Sequence, residues 1–296
     1  MPSYISKTPN WVTAAFILSV IITYVGCPEN LQPEGKPTLQ HVWYYGWITA
    51  VSTGFGVVPL IFTPTLNKYY IGVSNAIAAG MMIAASYSLI IEGLFFDEPD
   101  DSWEIVSPAI RTVVGVICGL VFIKWTKKFL DNNDDLTLGN LDIDRADAKK
   151  IMLIMLVMTV HSFSEGVGIG VSFGGQNGAD LGMFISASLA VHNVPEGFAV
   201  AIVWLPRKVS KLTAAMMCIL TSLPQPLMAV PAYMFVRYFI PILPVGLGFA
   251  GGAMAWVAFM ELMIEAYEDT DAVTTGVVSV ISLSFMLTLQ NALKGE

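Results

Sequence analysis

Residues 151–173 read IMLIMLVMTVHSFSEGVGIGVSF, and residues 181–205 read LGMFISASLAVHNVPEGFAVAIVWL. Each has the ~20 mostly apolar residues a helix needs to cross the hydrocarbon core of a bilayer, and a single carboxylate, Glu165 or Glu196, is the only charge in either. Each therefore predicts a transmembrane helix. Stretches of the same kind recur at 43–66, 69–94, 105–123, 212–236, 238–265 and 272–293, joined by short loops. The reading is an all-α polytopic membrane protein of eight helices.

Composition agrees. Hydrophobic residues make up 55% of the 296 and charged residues 13%, with a mean hydropathy of +0.65, well off the soluble average of about a quarter charged. A ninth apolar stretch, Trp11 to Cys27, follows a weakly charged N-terminus and has the length of either a cleaved signal peptide or an extra helix. Cys27, Cys118 and Cys218 are scattered and form no CxxC, so neither a disulfide framework nor a thiolate zinc site is indicated. The net charge of −8 comes from acidic loops at Asp97 to Glu104 and Asp131 to Asp147. There is no basic stripe of the kind nucleic acid needs.

Threading eight helices puts Lys68, Lys124, Lys127, Lys128, Arg145, Lys149, Lys150, Arg207, Lys208 and Lys211 on one side, and Lys7, Lys36, Arg111, Arg237 and Lys294 on the other. By the positive-inside rule the richer side is cytosolic, and with it the loop at about 124–150.

His161 and Glu165 are four residues apart, as are His192 and Glu196, a spacing that places both members of a pair on one helical face. Both pairs lie near the bilayer midplane, where an ionised side chain costs ~2.5–3.5 kcal/mol on insertion scales and usually marks function. Two neutral imidazoles and two carboxylates sum to −2, which a divalent cation neutralises, and the donor set suits Zn²⁺ and also Fe²⁺ or Mn²⁺. Pro195 removes the helical partner of the Val191 carbonyl. Gly166, Gly168, Gly170 and Gly197 read as small residues that let the fourth and fifth helices approach closely. Ser162 and Asn193 are further oxygen donors beside the histidines. Met82 offers a thioether, and Glu261 and Glu265 lie one turn apart in the seventh span, Glu261 being the deeper.

Ala79-Gly80-Met81-Met82 in the second span is echoed by Gly251-Gly252-Ala253-Met254 in the seventh. The two helices run in opposite directions, as an inverted repeat requires if helices 1–3 are related to 6–8 around a central pair, a 3+2+3 arrangement.

At HSFSEG (161–166) and HNVPEG (192–197) the sequence resembles the ZIP (Zrt- and Irt-like protein) family of metal transporters, and the similarity runs from about residue 46 to 293 through TGFGVVPL (53–60), AAGMMIAAS (78–86), TSLPQPL (221–227) and GFAGGAMAWVAFMEL (248–262). The resemblance implies an eight-helix fold, movement of Zn²⁺ or a similar ion into the cytosol, frequent homodimerisation and an elevator-like motion. Zn²⁺ would be cargo, with no organic cofactor. Carried over by position, the ligands are His161, Glu165, His192, Asn193, Glu196, Met82 and Glu261. Ser162 stands where many members have asparagine, Ser164 where proline is frequent, and Gln225 where others carry a glutamate facing the site. The long loop lacks the family's histidine run. The chain then divides into residues 1–40, an N-terminal signal peptide or anchor with an outer segment, and 41–296, the transporter domain. Against this stand an intramembrane zinc-dependent lipid hydrolase and a metal-sensing receptor without transport. A HExxH protease and a multi-histidine oxygenase are excluded, the first by its missing motif and the second by a total of three histidines.

Overall fold

The computed structural model describes residues 8–33, 35–62, 67–96, 106–132, 145–174, 178–204 and 209–294, whose regular structure is all helix with no strand among them. The helices are α1 (Asn10–Val25), α2 (Leu39–Ser52), α3 (Lys68–Leu94), α4 (Pro108–Asn132), α5 (Arg145–Gly174), α6 (Gly178–Trp204), α7 (Lys211–Met234), α8 (Val236–Asp269) and α9 (Ala272–Lys294). Seven of them, α3 to α9, are long and apolar enough to cross a membrane. The protein is a multi-pass integral membrane protein.

The first expected span, 43–66, differs from a straight helix. It starts earlier, at Leu39, because Thr38 accepts a hydrogen bond from the His41 N–H while the Thr38 N–H donates to the His41 ring, a reciprocal cap that satisfies donors a helix start leaves orphaned. It then tightens into a 3₁₀ turn at Thr53–Val57 before a last helical turn at Val58–Ile61. Gly54, Gly56 and Pro59 weaken the α-helical ladder here. Residues 63–66 lie outside the described set. Residues 124–150, expected as a loop, are largely helical at both ends: α4 runs on to Asn132 and α5 begins at Arg145. The aspartates between them, at 133–144, are also outside the described residues. The apolar stretch at 11–27 forms α1, which packs on α2 and α7, and Trp47 Nε1 donates to Thr23 Oγ1 at 2.8 Å. Between α8 and α9, Asp271 accepts from the Thr274 hydroxyl at 2.6 Å and from the N–H groups of Thr274 and Val273, which starts α9 and holds the Asp271 carboxyl below the usual range.

The packing falls into two bundles. In one, α5 packs on α6 and α7 and α2 packs on α6 and α7; in the other, α8 packs on α3 and α4 and α3 packs on α9. The pairings are those of an inverted repeat that exchanges α2 with α7, α3 with α8, α4 with α9 and α5 with α6. Thus α4 lies on α8 as α9 lies on α3, and α5 lies on α7 as α6 lies on α2. The sequence echo has a packing cause. A Cβ on Gly80 would come within 2.2 Å of the Ser279 carbonyl in α9, and one on Gly252 within 2.7 Å of the Val116 carbonyl in α4. The two glycines sit at related helix crossings where only a hydrogen fits.

The ends of the helices sort as the threading requires. Lys127 of α4 pairs with Glu261 of α8 at 2.6 Å, Lys150 of α5 donates to Glu265 of α8, Asn75 of α3 donates to the same carboxylate, and Lys211 of α7 donates to Ile61 O. At the other end Arg111 donates to Pro241 O, and Tyr233 donates to Pro37 O. In a background without native cysteines, Asn132→Cys is expected to react with a membrane-impermeant maleimide only from the cytosolic side and Lys36→Cys only from the opposite side. Labelling of both from one side would overturn the threading.

Candidate metal centre

Helices α5 and α6 cross near their midpoints, and there the two sequence pairs meet. One donor atom from each of His161, Glu165, His192 and Glu196 lies within 4.8 Å of the other three, and all four side chains are buried, between 1% and 9% exposed. Glu196 is the hub. Its Oε1 lies 3.0 Å from His161 Nε2 and 2.9 Å from His192 Nε2, and His161 Nε2 is 3.3 Å from Glu165 Oε1. The His161 contact is an aligned hydrogen bond; the His192 Nε2 atom has no aligned partner.

Two neutral amides extend the cluster. Gln225, fully buried in α7, donates from Nε2 to Glu165 Oε2 and accepts at Oε1 from Asn193 Nδ2 at 3.1 Å. Asn193 also donates to the Thr49 carbonyl of α2 at 2.8 Å. Glu165 Oε1, Glu196 Oε2 and Asn193 Oδ1 are left buried without a hydrogen-bond partner. An unpaired buried carboxylate oxygen is costly in protein and more so at membrane depth. These are acceptors on two of the clustered residues and on the neighbour of His192, and a bound cation would satisfy the carboxylate oxygens.

The backbone is arranged to allow this. The glycines were expected to bring α5 and α6 together; instead they admit the flanking helices. A Cβ on Gly166 would meet Gln225 O at 2.6 Å, and one on Gly197 would meet Thr53 O at 1.8 Å. Gly168 has open space beside it. Close approach of α7 at Gly166 is what delivers Gln225 to Glu165. Pro195 lies within α6, which continues to Trp204 without ending.

Other candidates lie elsewhere. Glu261 is not brought into the cluster: it sits in a π turn at Ala258–Leu262 and pairs with Lys127, at the lysine-rich end of the bundle. Glu265 is one turn further on, bonded to Lys150 and Asn75. Met82 is buried in the apolar core. Ser162 is buried beside His161, but its hydroxyl donates back to Met158 O of its own helix. Two residues that the sequence did not single out do belong. Gln290 of α9 bonds His192 Nδ1 at 2.9 Å, and Ser88 of α3 donates to Gln290 Oε1 at 2.7 Å. Nothing local in the sequence links positions 98 residues apart.

Comparison with known proteins gives the arrangement a context. A family profile described as ZIP zinc transporter matches residues 141–234, the stretch that holds both His/Glu pairs and Gln225. An Arabidopsis thaliana protein named "Putative zinc transporter" is 36% identical over 268 residues, 90% of this chain and 41% of that protein. The chain thus spans about two fifths of that relative's length. The zinc transporter GufA of Myxococcus xanthus is 28% identical over 227 residues, 74% of this chain and 86% of GufA. The zinc transporter ZIPB of Bordetella bronchiseptica is 29% identical over 278 residues, 93% of this chain and 88% of ZIPB.

Proposed function

This chain belongs to the ZIP zinc transporter family, and on that premise we propose that it moves a divalent cation, Zn²⁺ foremost, across the membrane towards the cytosol through His161, Glu165, His192 and Glu196. The observation that carries the reading is the convergence of four buried donors where α5 and α6 cross, with carboxylate oxygens of Glu165 and Glu196 left without a hydrogen-bond partner. Imidazole and carboxylate together suit Zn²⁺. The amide oxygen of Asn193, which has no partner now, and that of Gln225, once its bond from Asn193 exchanges, would serve as further neutral donors. Alternating access would come from α2, α5, α6 and α7 shifting against α3, α4, α8 and α9, with the Lys150–Glu265 bond crossing the divide. Homodimerisation stays a proposal that rests on the family alone.

A zinc-dependent lipid hydrolase would need lipid to reach a metal-bound water. The cluster side chains are at most 10% exposed, so this conformation leaves no opening of that size. No lipid cleavage is expected from the purified protein.

Charge sets the stoichiometry. Glu165 and Glu196 supply −2, which one Zn²⁺ cancels; Glu261 is committed to Lys127. A second Zn²⁺ would leave +2 in a low-dielectric site, which is costly. One tightly bound Zn²⁺ per chain is expected by calorimetry, and Gln225→Glu is expected to raise occupancy of a second site while slowing release. Two equally tight ions in the unmodified protein would show the charge argument to be wrong.

A further inference from the structure

His192 is held from outside its own bundle. Its Nδ1 faces Gln290 Nε2 at 2.9 Å, and since an amide nitrogen can only donate, Nδ1 accepts. Gln290 is itself buried, at 8% exposed, and Ser88 Oγ donates to its Oε1 at 2.7 Å, tethering the amide beside the ring. With Nδ1 fixed in this way, the ring plane is set and the opposite nitrogen, Nε2, is aimed into the cluster, 2.9 Å from Glu196 Oε1. His161 has no counterpart of this brace: its Nδ1 is buried without a hydrogen-bond partner.

We propose that Gln290, tethered by Ser88, is a positioning residue for metal binding, holding the His192 imidazole in register with Glu196 from across the interface between the two helix bundles. The inference rests on the reading of the cluster as a cation site. Ligand histidines are commonly held through their second nitrogen by a hydrogen-bond partner, and loss of that partner costs about 10–100-fold in affinity. An amide is well matched to the task. It offers N–H to Nδ1 when the ring proton is on Nε2, and it can offer Oε1 when the proton is on Nδ1, the form that leaves the Nε2 lone pair to a cation. The Ser88 hydroxyl, both donor and acceptor, accommodates either orientation. Because Gln290 and Ser88 belong to α9 and α3 while His192 belongs to α6, the brace makes cation affinity depend on how the bundles are docked.

The test is equilibrium Zn²⁺ binding by chelator competition on the full chain in detergent, with thermal unfolding in parallel. Gln290→Leu removes the partner without adding charge and is expected to weaken Zn²⁺ about 10–100-fold. Ser88→Ala is expected to weaken it less. Gln290→Glu supplies a carboxylate that accepts from Nδ1, and is expected to bind Zn²⁺ at least as tightly as the unmodified protein while releasing it more slowly. Opposite shifts for the leucine and glutamate variants would support positioning. Equal weakening in both, in step with equal losses of thermal stability, would overturn it in favour of a packing role, as would unchanged affinity in Gln290→Leu. If the unmodified protein bound no Zn²⁺ and Glu196→Ala changed nothing, the cation-site reading would fall as well; normal binding with no effect at Gln290 would remove the positioning role alone.

Discussion

Glu196→Ala is expected to abolish zinc flux while the protein remains folded. Glu196 Oε1 is the atom both histidines face, at 3.0 and 2.9 Å, so its loss frees His161 and His192 together and halves the negative charge of the cluster. Removing one partner of a buried ionic constellation costs about 3–5 kcal/mol. At about 1.4 kcal/mol per tenfold, this is on the order of a hundredfold or more in cation affinity. Glu196→Gln keeps the shape and loses the charge, so it should fall with alanine. Glu165→Ala should be nearly as severe, since Gln225 then loses the carboxylate to which it donates. The measurements are Zn²⁺ binding in detergent and flux in vesicles at matched expression. Flux through Glu196→Ala near that of the unmodified protein would remove these residues from the path.

The second large effect is on folding. Gly197→Val should prevent assembly of the bundle that carries the site, because any Cβ at this position would lie 1.8 Å from the Thr53 carbonyl and 3.1 Å from the Thr53 side chain. The obstacle is backbone, which cannot rotate away, and overpacking of even a yielding core costs about 1–3 kcal/mol. Gly168→Ala is the internal control. No atom lies within 4 Å of the added Cβ, so this change is expected to leave stability unaltered or slightly raised, by no more than about 1 kcal/mol, through better helix propensity. Size-exclusion profiles and thermal unfolding separate the two. A monodisperse Gly197→Val protein of normal stability would mean that α6 and the 3₁₀ turn at Thr53–Val57 do not meet as described.

These expectations mark where the sequence is legible. The spans could be read because apolar runs of fixed length have one physical use, and the His/Glu pairs because spacing of four residues survives any packing of the helices around them. The fate of Glu261 was not legible. Its partner Lys127 lies on the part of α4 beyond residue 123, where the apolar run ends but the helix does not, and the π turn at Ala258–Leu262 shifts the face on which Glu261 falls. The glycines of α5 and α6 announced that something comes close without naming it: it is Gln225 and Thr53, from α7 and from the turn after α2. Gln225 could be assigned to the site only through the family resemblance, and Gln290 not at all. A lone glutamine in an apolar helix has many ways to be satisfied, and its bond to His192 exists only once α6 and α9 have packed.

The most direct test of the central claim is Zn²⁺ uptake into proteoliposomes containing the purified full chain, beside Glu196→Ala and protein-free vesicles, with Fe²⁺, Mn²⁺ and Cd²⁺ in parallel and with and without a proton gradient. The account predicts saturable Zn²⁺ entry with the unmodified protein that Glu196→Ala reduces to the level of empty vesicles. Saturable Zn²⁺ entry carried equally by Glu196→Ala, or no entry of any of the four ions with folded protein, would contradict it.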